Sequence, residues 1–383
     1  HPVQEAMVKC HGSQCGFCTP GFIMSLFSMF KNYSKFKEDI IKDSIAGNLC
    51  RCTGYKPIIK AAKSLRTKNK IDHFYKNKKN TISQLRKIAN ESIAIYRKDK
   101  KYFAPRYVTE LKKILKKNIN SQLLSGGTDL SLVVTKDRKD INSIIYMNSI
   151  KELNYIKNNQ GYIEVGAATP LSEFDLYIKK YYPDFSKILK RYGSIQIRNV
   201  ATVAGNIATA SPIGDNLPLL LALDSKVVLQ SIKKSKILPI NDFFISYRKT
   251  KLKAGQFIHS IRIPIFDKNI FKAYKISKRF DDDISSVCAA FNLEIKDKKI
   301  KNIKIAYGGM DAVPKRAVYC ERVLLNSLIT KELIDKAKIA LEKDFNPIGD
   351  MRASKKYRKI IAKNLLEKCF LEIKEKKLIG IHN

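Results

Sequence analysis

The sequence predicts an α+β protein: a small all-α domain, a two-subdomain α+β domain after it, and an α+β C-terminal domain. Three observations predict it. Two short glycine turns carrying cysteines lie between helical runs in the first 66 residues; from Tyr102 short β-rich runs alternate with helices; after Pro264 longer strands lead into two amphipathic helices. Length agrees, because 383 residues make two or three domains at roughly 100–200 residues each.

The elements follow in order. Pro2 to Lys9 reads as the end of a helix, so the chain is expected to start inside a longer one. Thr19 is a plausible N-cap with Pro20 at the first helical position of GFIMSLFSMFKNY. The next helix, KEDIIKDSIAG, is expected to close on a left-handed Gly47. NLCRCTGY makes a tight loop, and a further helix runs from Pro57 through Leu65. Residues 67–101, polar and lysine-rich with one helical stretch around Ile82 to Ile95, read as an interdomain linker. SQLL leads into SGGTDL, SIIYMN and YIEVGA are strands, Thr169 and Pro170 open a helix, and KVVLQS pairs with KILPI. FKAYKIS, SSVCAAFNLEI and NIKIAYGGM, with a turn at Asp297, precede helices from Lys331 and Lys355. The expected divisions are 1–66, 67–101, 102–265 and 266–383.

Composition excludes several classes. Lys and Arg number 73 against 35 Asp and Glu, a formal charge of +38 that ordinarily suggests nucleic acid. The lysines occur in every segment and only Thr67 to Lys101 concentrates them, so they read as solvated surface, with no nucleic-acid partner. The longest apolar runs, such as LPLLLAL from Leu217, fall far short of the ~20 residues of a membrane span, so no membrane is expected. No nucleophile–base triad is visible, and His1, His11, His73, His259 and His382 have no ligand spacing. Eight cysteines are too few for a disulfide scaffold in so long a chain, and an intracellular, cytoplasmic setting is expected. Cys288, Cys320 and Cys369 sit in apolar segments; Cys369 shares a helical stripe with Tyr357, Ile361 and Leu365, a core pattern.

Five cysteines lie within the first 52 residues, arranged as Cys15-x2-Cys18 and, after thirty-one intervening residues, Cys50-x-Cys52, with Cys10 outside the pattern. Four-thiolate zinc also uses C-x2-C pairs, although a one-residue second spacing is unusual for it. Gly12, Gly16, Gly47 and Gly54 flank the pairs, and glycine there lets backbone N–H groups face inorganic sulfides. A diiron cluster needs two thiolates per iron, and two pairs supply them. CHGSQCGFCTPGFIMS followed by GNLCRCTGYKPIIKA resembles the second iron–sulfur domain of the molybdenum hydroxylases, the xanthine dehydrogenase and aldehyde oxidase group. The resemblance implies that Cys15, Cys18, Cys50 and Cys52 ligate one 2Fe-2S cluster and that Gln14 approaches a molybdopterin on a partner. The family's earlier ferredoxin-like domain, with its second cluster, has no counterpart in this sequence.

SGGTDLSL, Ser125 to Leu132, sets a glycine pair after a strand, where Gly126 and Gly127 expose amides and Thr128 can donate. NVATVAGNIATASPIGDNLPLLLALD adds Gly205, Asn206, Thr209, Ser211 and the acceptor Asp215. Alone, either reads as a turn or a capped loop. In this order they resemble the FAD domain of the same group (PCMH-type), and the likeness runs from Tyr102 to about Lys374 through KISKRFDDDISSV, IAYGGMDAVPKRA and DMRASKKYRK. It implies FAD contacts at Ser125, Gly126, Gly127, Thr128, Asp129 and Leu130, then at Tyr192, Thr202, Gly205, Asn206, Thr209, Ser211, Asp215, Ile258 and Lys275. It also implies a loop governing NAD access around Arg279 and Asp282. Ala204 departs from the family, standing where a glycine is usual. The C-terminal part resembles that of the carbon monoxide dehydrogenase flavoprotein. The implied role is electron transfer: no residue of this chain hydroxylates substrate, a separate subunit carries the molybdopterin–molybdenum, and electrons leave FAD for NAD or oxygen in a hetero-oligomer.

Overall fold

The computed structural model describes residues 1–65, 72–88 and 91–379. The chain divides into two compact units, His1–Glu91 with Gly193–Ile197, and Ser92–Tyr192 with Arg198–Asn383.

The first unit is helical: α1 (Pro2–Lys9), α2 (Thr19–Asn32), α3 (Glu38–Ile45), α4 (Lys56–Ser64) and α5 (His73–Ile88). Phe22, Leu26, Met29 and Phe30 recur at helical spacing on α2 and are buried against Val3 and Met7 of α1, Ile41 of α3 and Ile58 of α4. Thr19 is the first residue of α2, not its cap. Its hydroxyl pairs instead with Ser13 at 2.6 Å. Gly47 is not left-handed either: α3 ends on a right-handed Ala46, and the positive φ values of these turns fall at His11, Gly16, Gly54 and Tyr55. The expected helix at Ile82 to Ile95 lies earlier, as α5, and residues 67–71 and 89–90 of the expected linker lie outside the described residues.

The second unit opens with β1 (Ile93–Arg97) and β2 (Lys100–Ala104), an antiparallel hairpin. Residues 93–101 are therefore sheet, not linker; Ile93, Ile95 and Tyr96 favour a strand, and β2 supplies the ladder that decides it. α6 (Val108–Lys117), β3 (Gln122–Leu124), α7 (Ser131–Thr135) and β4 (Ser143–Tyr146) complete a sheet of order β1-β2-β4-β3, in which β4 runs parallel to β2 and β3.

Next come β5 (Ile156–Asn159), β6 (Tyr162–Gly166), α8 (Leu171–Ile178), α9 (Pro183–Lys190), α10 (Ile195–Arg198), α11 (Val203–Thr209) and α12 (Asn216–Ala222). β7 (Lys226–Gln230), β8 (Ser235–Pro239), the small pair β9 (Phe244–Ser246) and β10 (Lys249–Thr250), and β11 (Phe257–Pro264) follow. The second sheet, β5-β6-β11-β7-β8, is antiparallel throughout. Pro170 is the N-cap residue of α8 and has no polar side chain to make a capping bond, while the Thr169 hydroxyl is engaged with the Tyr155 backbone.

The third sheet is a meander of β12 (Ile270–Ile276), β13 (Val287–Lys296), β14 (Lys299–Gly308) and β15 (Lys315–Arg316), followed by α13 (Val318–Leu324), α14 (Lys331–Asp344) and α15 (Lys355–Glu375). Successive residues of a strand point to opposite faces, and β13 is apolar on both. Val287, Ala289, Phe291 and Leu293 enter the core under α13–α15, whereas Cys288 and Ala290 enter the core shared with α12 and the second sheet. α12 is buried all round, as its LPLLLA run requires. Cys288, Cys320 and Cys369 are core residues, while Tyr357 is largely exposed and leaves the expected stripe. No helix of the described residues is long and apolar enough to cross a membrane.

Candidate cofactor sites

Cys15 and Cys18 lie on the turn between α1 and α2, and Cys50 and Cys52 on the turn between α3 and α4. Left-handed Gly16 and Gly54 bend these turns. The thiols face one another across the turns, Cys15 with Cys52 and Cys18 with Cys50, each pair perturbing the titration of its members. Each pair thus takes one sulfur from each turn. The Thr53 hydroxyl at 3.2 Å and the Thr53 amide at 3.4 Å hold the buried Cys50 thiol down, at about 7. The Phe17 amide lowers Cys15 likewise. One member of each pair is thereby shifted towards the thiolate, the form that binds metal. Tyr55 fixes the second turn by accepting the Cys50 amide at 3.0 Å.

Among the described residues no three His, Cys, Asp or Glu side chains converge as for a single ion. Two pairs of thiols, with amide and hydroxyl donors beside them, suit a cluster of two irons, which takes two thiolates per iron. Cys10 lies half-buried at the end of α1, outside the set, and Gln14 is exposed.

Ser125, Gly126, Gly127, Thr128, Asp129 and Leu130 form the half-buried turn from β3 into α7. A second turn closes on it: Thr202 lies 3.4 Å from Ser125 Oγ, and a β-carbon at Gly126 would collide with the Val200 carbonyl. Gly127 is left-handed, at φ +72°. Thr202 caps α11 by accepting from the Gly205 amide at 3.0 Å, and Asn206 on that helix donates to the Tyr192 hydroxyl at 3.3 Å. Burial, with Asp215 and Asp129 nearby, pushes the Tyr192 hydroxyl up to about 12. Thr209 and Ser211 flank the left-handed Ala210 at the end of α11. Ala204 is buried on α11, where its methyl joins the core.

Asp215 stands at the N-cap of α12. Its carboxylate is buried, with Lys275 at 2.6 Å on one oxygen and the Ser285 hydroxyl at 2.5 Å on the other. The acceptor expected to face a ligand is the counter-ion of Lys275. Ile258 packs in the hydrophobic core of the second sheet. Arg279 and Asp282 lie on the β12–β13 loop, where Asp283 accepts the Arg279 amide at 2.9 Å. Arg191, which sequence reasoning missed, holds that loop: its guanidinium donates to the carbonyls of Lys275 at 2.9 Å and Phe280 at 2.8 Å and stacks on the exposed Phe280 ring at 4.3 Å. Its partners are 84 and 89 residues away, so no local pattern could reveal it.

Asn206 Oδ1 and both amide atoms of Asn216 are buried without a partner. Such atoms cost free energy unless a bound group completes them. With the two turns at Ser125 and Thr202 they fit a polar, phosphate-bearing cofactor. A separate cavity of about 660 Å³, lined by Asp99, Lys101, Lys117, Gln122 and Asp140, lies where β2, β3 and β4 begin and shares only Leu130 with these turns.

Fold and site together define an iron–sulfur flavoprotein. The 2Fe-2S binding domain matches residues 1–63, the FAD binding domain in molybdopterin dehydrogenase residues 96–266, and the CO dehydrogenase flavoprotein C-terminal domain residues 272–373. The chain thus joins a 2Fe-2S domain to a FAD domain of the molybdopterin dehydrogenase kind. It is 30% identical to xanthine dehydrogenase of Emericella nidulans, over 94% of this chain and 31% of the relative. Xanthine dehydrogenase of Dictyostelium discoideum is 29% identical over 100% of this chain and 34% of its own length. The chain thus spans about a third of these relatives. Its fold resembles carbon monoxide dehydrogenase from Hydrogenophaga pseudoflava (TM-score 0.67, 24% identity, 71% of this chain and 96% of that one). Quinoline 2-oxidoreductase from Pseudomonas putida 86 is similar (TM-score 0.66, 21% identity, 71% and 95%).

Proposed function

We propose that the chain is the electron-transfer part of a xanthine dehydrogenase-type oxidoreductase. The observation that carries the reading is the pair of cross-turn thiol contacts, Cys15 with Cys52 and Cys18 with Cys50, in one chain with a flavin-type domain. Cys15, Cys18, Cys50 and Cys52 would hold the cluster, in a domain of residues 1–66. The turns at Ser125–Leu130 and Thr202–Asn206, with Tyr192, would hold FAD, and Lys275 would hold Asp215 in place by their ion pair. When bound, the cluster supplies one-electron and FAD two-electron chemistry, by which electrons from a molybdenum-bearing subunit reach NAD or oxygen.

The chain's own residues position these groups. Thr53 and Tyr55 hold the Cys50 turn, and Arg191 holds the Phe280 loop. The partner is a molybdopterin-bearing subunit in a hetero-oligomer, in the cytoplasm. The names of the curated relatives support the xanthine type. Likeness in fold to carbon monoxide dehydrogenase and quinoline 2-oxidoreductase supports a second reading, another hydroxylase of the family with an aldehyde, nicotinate or carbon monoxide-type substrate.

Purified protein is expected to be brown-yellow, with iron and FAD by assay and no stoichiometric zinc. A colourless protein with one zinc and salt-sensitive nucleic-acid binding overturns the reading. A purine and aldehyde panel on the complex with its molybdenum subunit separates the two enzyme readings.

A further inference from the structure

Residues Gly193–Ile197 belong to the first unit, although the chain on either side of them belongs to the second. Ser25, on α2, is their point of attachment. Its hydroxyl accepts from Gln196 Nε2 at 3.2 Å and from Asn48 Nδ2 at 2.8 Å. Two glycines leave room for these amides: a β-carbon at Gly47 would strike the Gln196 side chain, and one at Gly21 would stand 2.5 Å from Asn48 Oδ1. Gly47, expected to serve helix termination, is therefore needed for close approach.

Asn48 stands two residues before Cys50. Its backbone and side-chain amides also reach the Ile45 carbonyl, at 3.0 Å and 3.3 Å, so the path into the Cys50 turn is tied at both ends of this one residue. Four residues before Gln196 is Tyr192, bonded to Asn206 among the candidate flavin turns. We propose that Gln196 is a positioning residue: through Ser25 and Asn48 it fixes the backbone that presents Cys50, and its own backbone leads directly to the flavin turns. A segment of the flavin-binding sequence thus sets the geometry of the cluster turn. The inference deepens the function proposed above and rests on that reading only for its redox readout.

The test uses the full chain with iron and FAD loaded. Gln196→Ala is expected to speed amide hydrogen exchange at residues 48–54 about tenfold, the loss of one hydrogen bond. Exchange in α12 and β13 and the iron and FAD contents should stay unchanged, while the spin-resonance spectrum of the reduced cluster shifts. Ser25→Ala should reproduce both effects. Gln196→Glu should restore protection, because the Ser25 hydroxyl can donate to a carboxylate of the same size. Unchanged exchange at 48–54 in both alanine variants overturns the proposal. If Gln196→Ala loosens the whole chain, Ser25→Ala decides: a local rise supports the joint and none overturns it. Absence of iron from the unsubstituted protein sinks the cluster reading but leaves the exchange test standing.

Discussion

The cysteine turns and the flavin turns hold their functional groups by opposite means. In the first, the sulfurs lie on two short loops, Cys15 and Cys52 are exposed and Cys18 is half-buried, and the donors to Cys50 come from Thr53, three residues away. In the second, Asp215 meets Lys275 across 60 residues and Ser285 across 70, with the ion pair closed off from solvent. Local sites depend on which residue stands where. Assembled sites depend on the whole fold being in place, and their charges must be matched because burial leaves no solvent to compensate them.

Substitutions sharpen this contrast, beginning with the largest effect. Cys50→Ser should abolish iron binding while FAD remains, since in the function proposed above its thiolate is a cluster ligand and no part of the FAD site; iron and flavin assays on one preparation read both. Full iron in that variant breaks the local account. Lys275→Met should destabilise the second unit by about 3–5 kcal/mol in urea unfolding, because Asp215 is left as an unpaired buried charge. Adding Asp215→Asn should recover much of the loss; if the two losses simply add, the pair is not coupled. Arg191→Ala should cost less, about 1–3 kcal/mol, and appear as faster proteolysis around Phe280 with the cysteine turns unaffected.

The smallest effect tests a locally encoded ion pair. Asp350 is held at about 2: burial opposes this, but the amides of Arg352 and Ala353 and the Arg358 guanidinium at 2.7 Å outweigh it. A carboxyl lower in the folded than in the unfolded state stabilises above the unfolded value, ~3.9, and that stability is lost as pH falls towards 2. Asp350→Asn should remove on the order of 1–2 kcal/mol at neutral pH and flatten that acid limb of the stability curve. An unchanged limb assigns acid sensitivity to other carboxylates.

What the sequence made legible follows the same contrast. The thiol spacing, the strands of the meander and the helices from Lys331 and Lys355 are written in neighbouring residues, and the structure places them as expected. Thr19 was read as a cap because the cap rule looks only forward; its bond to Ser13, six residues back, decided otherwise. Residues 93–101 read as linker because the charged run Arg97 to Lys101 masks the turn between two strands that show themselves only as a pair. Gly47 has ordinary backbone angles and is explained by Gln196, 149 positions on, while Asp215 looked free because Lys275 is remote. The atoms of Asn216 that lack partners had no sequence signature at all.

The double-faced strand β13 has a further consequence. The two matched flavoprotein domains meet in sequence between residues 266 and 272, yet Cys288 and Ala290 of the later one complete the core of the earlier. The strand is a party wall. Neither room can be pulled down alone, so expressing residues 96–266 without the rest would leave α12 greasy and uncovered, a fragment destined for aggregates, not for flavin.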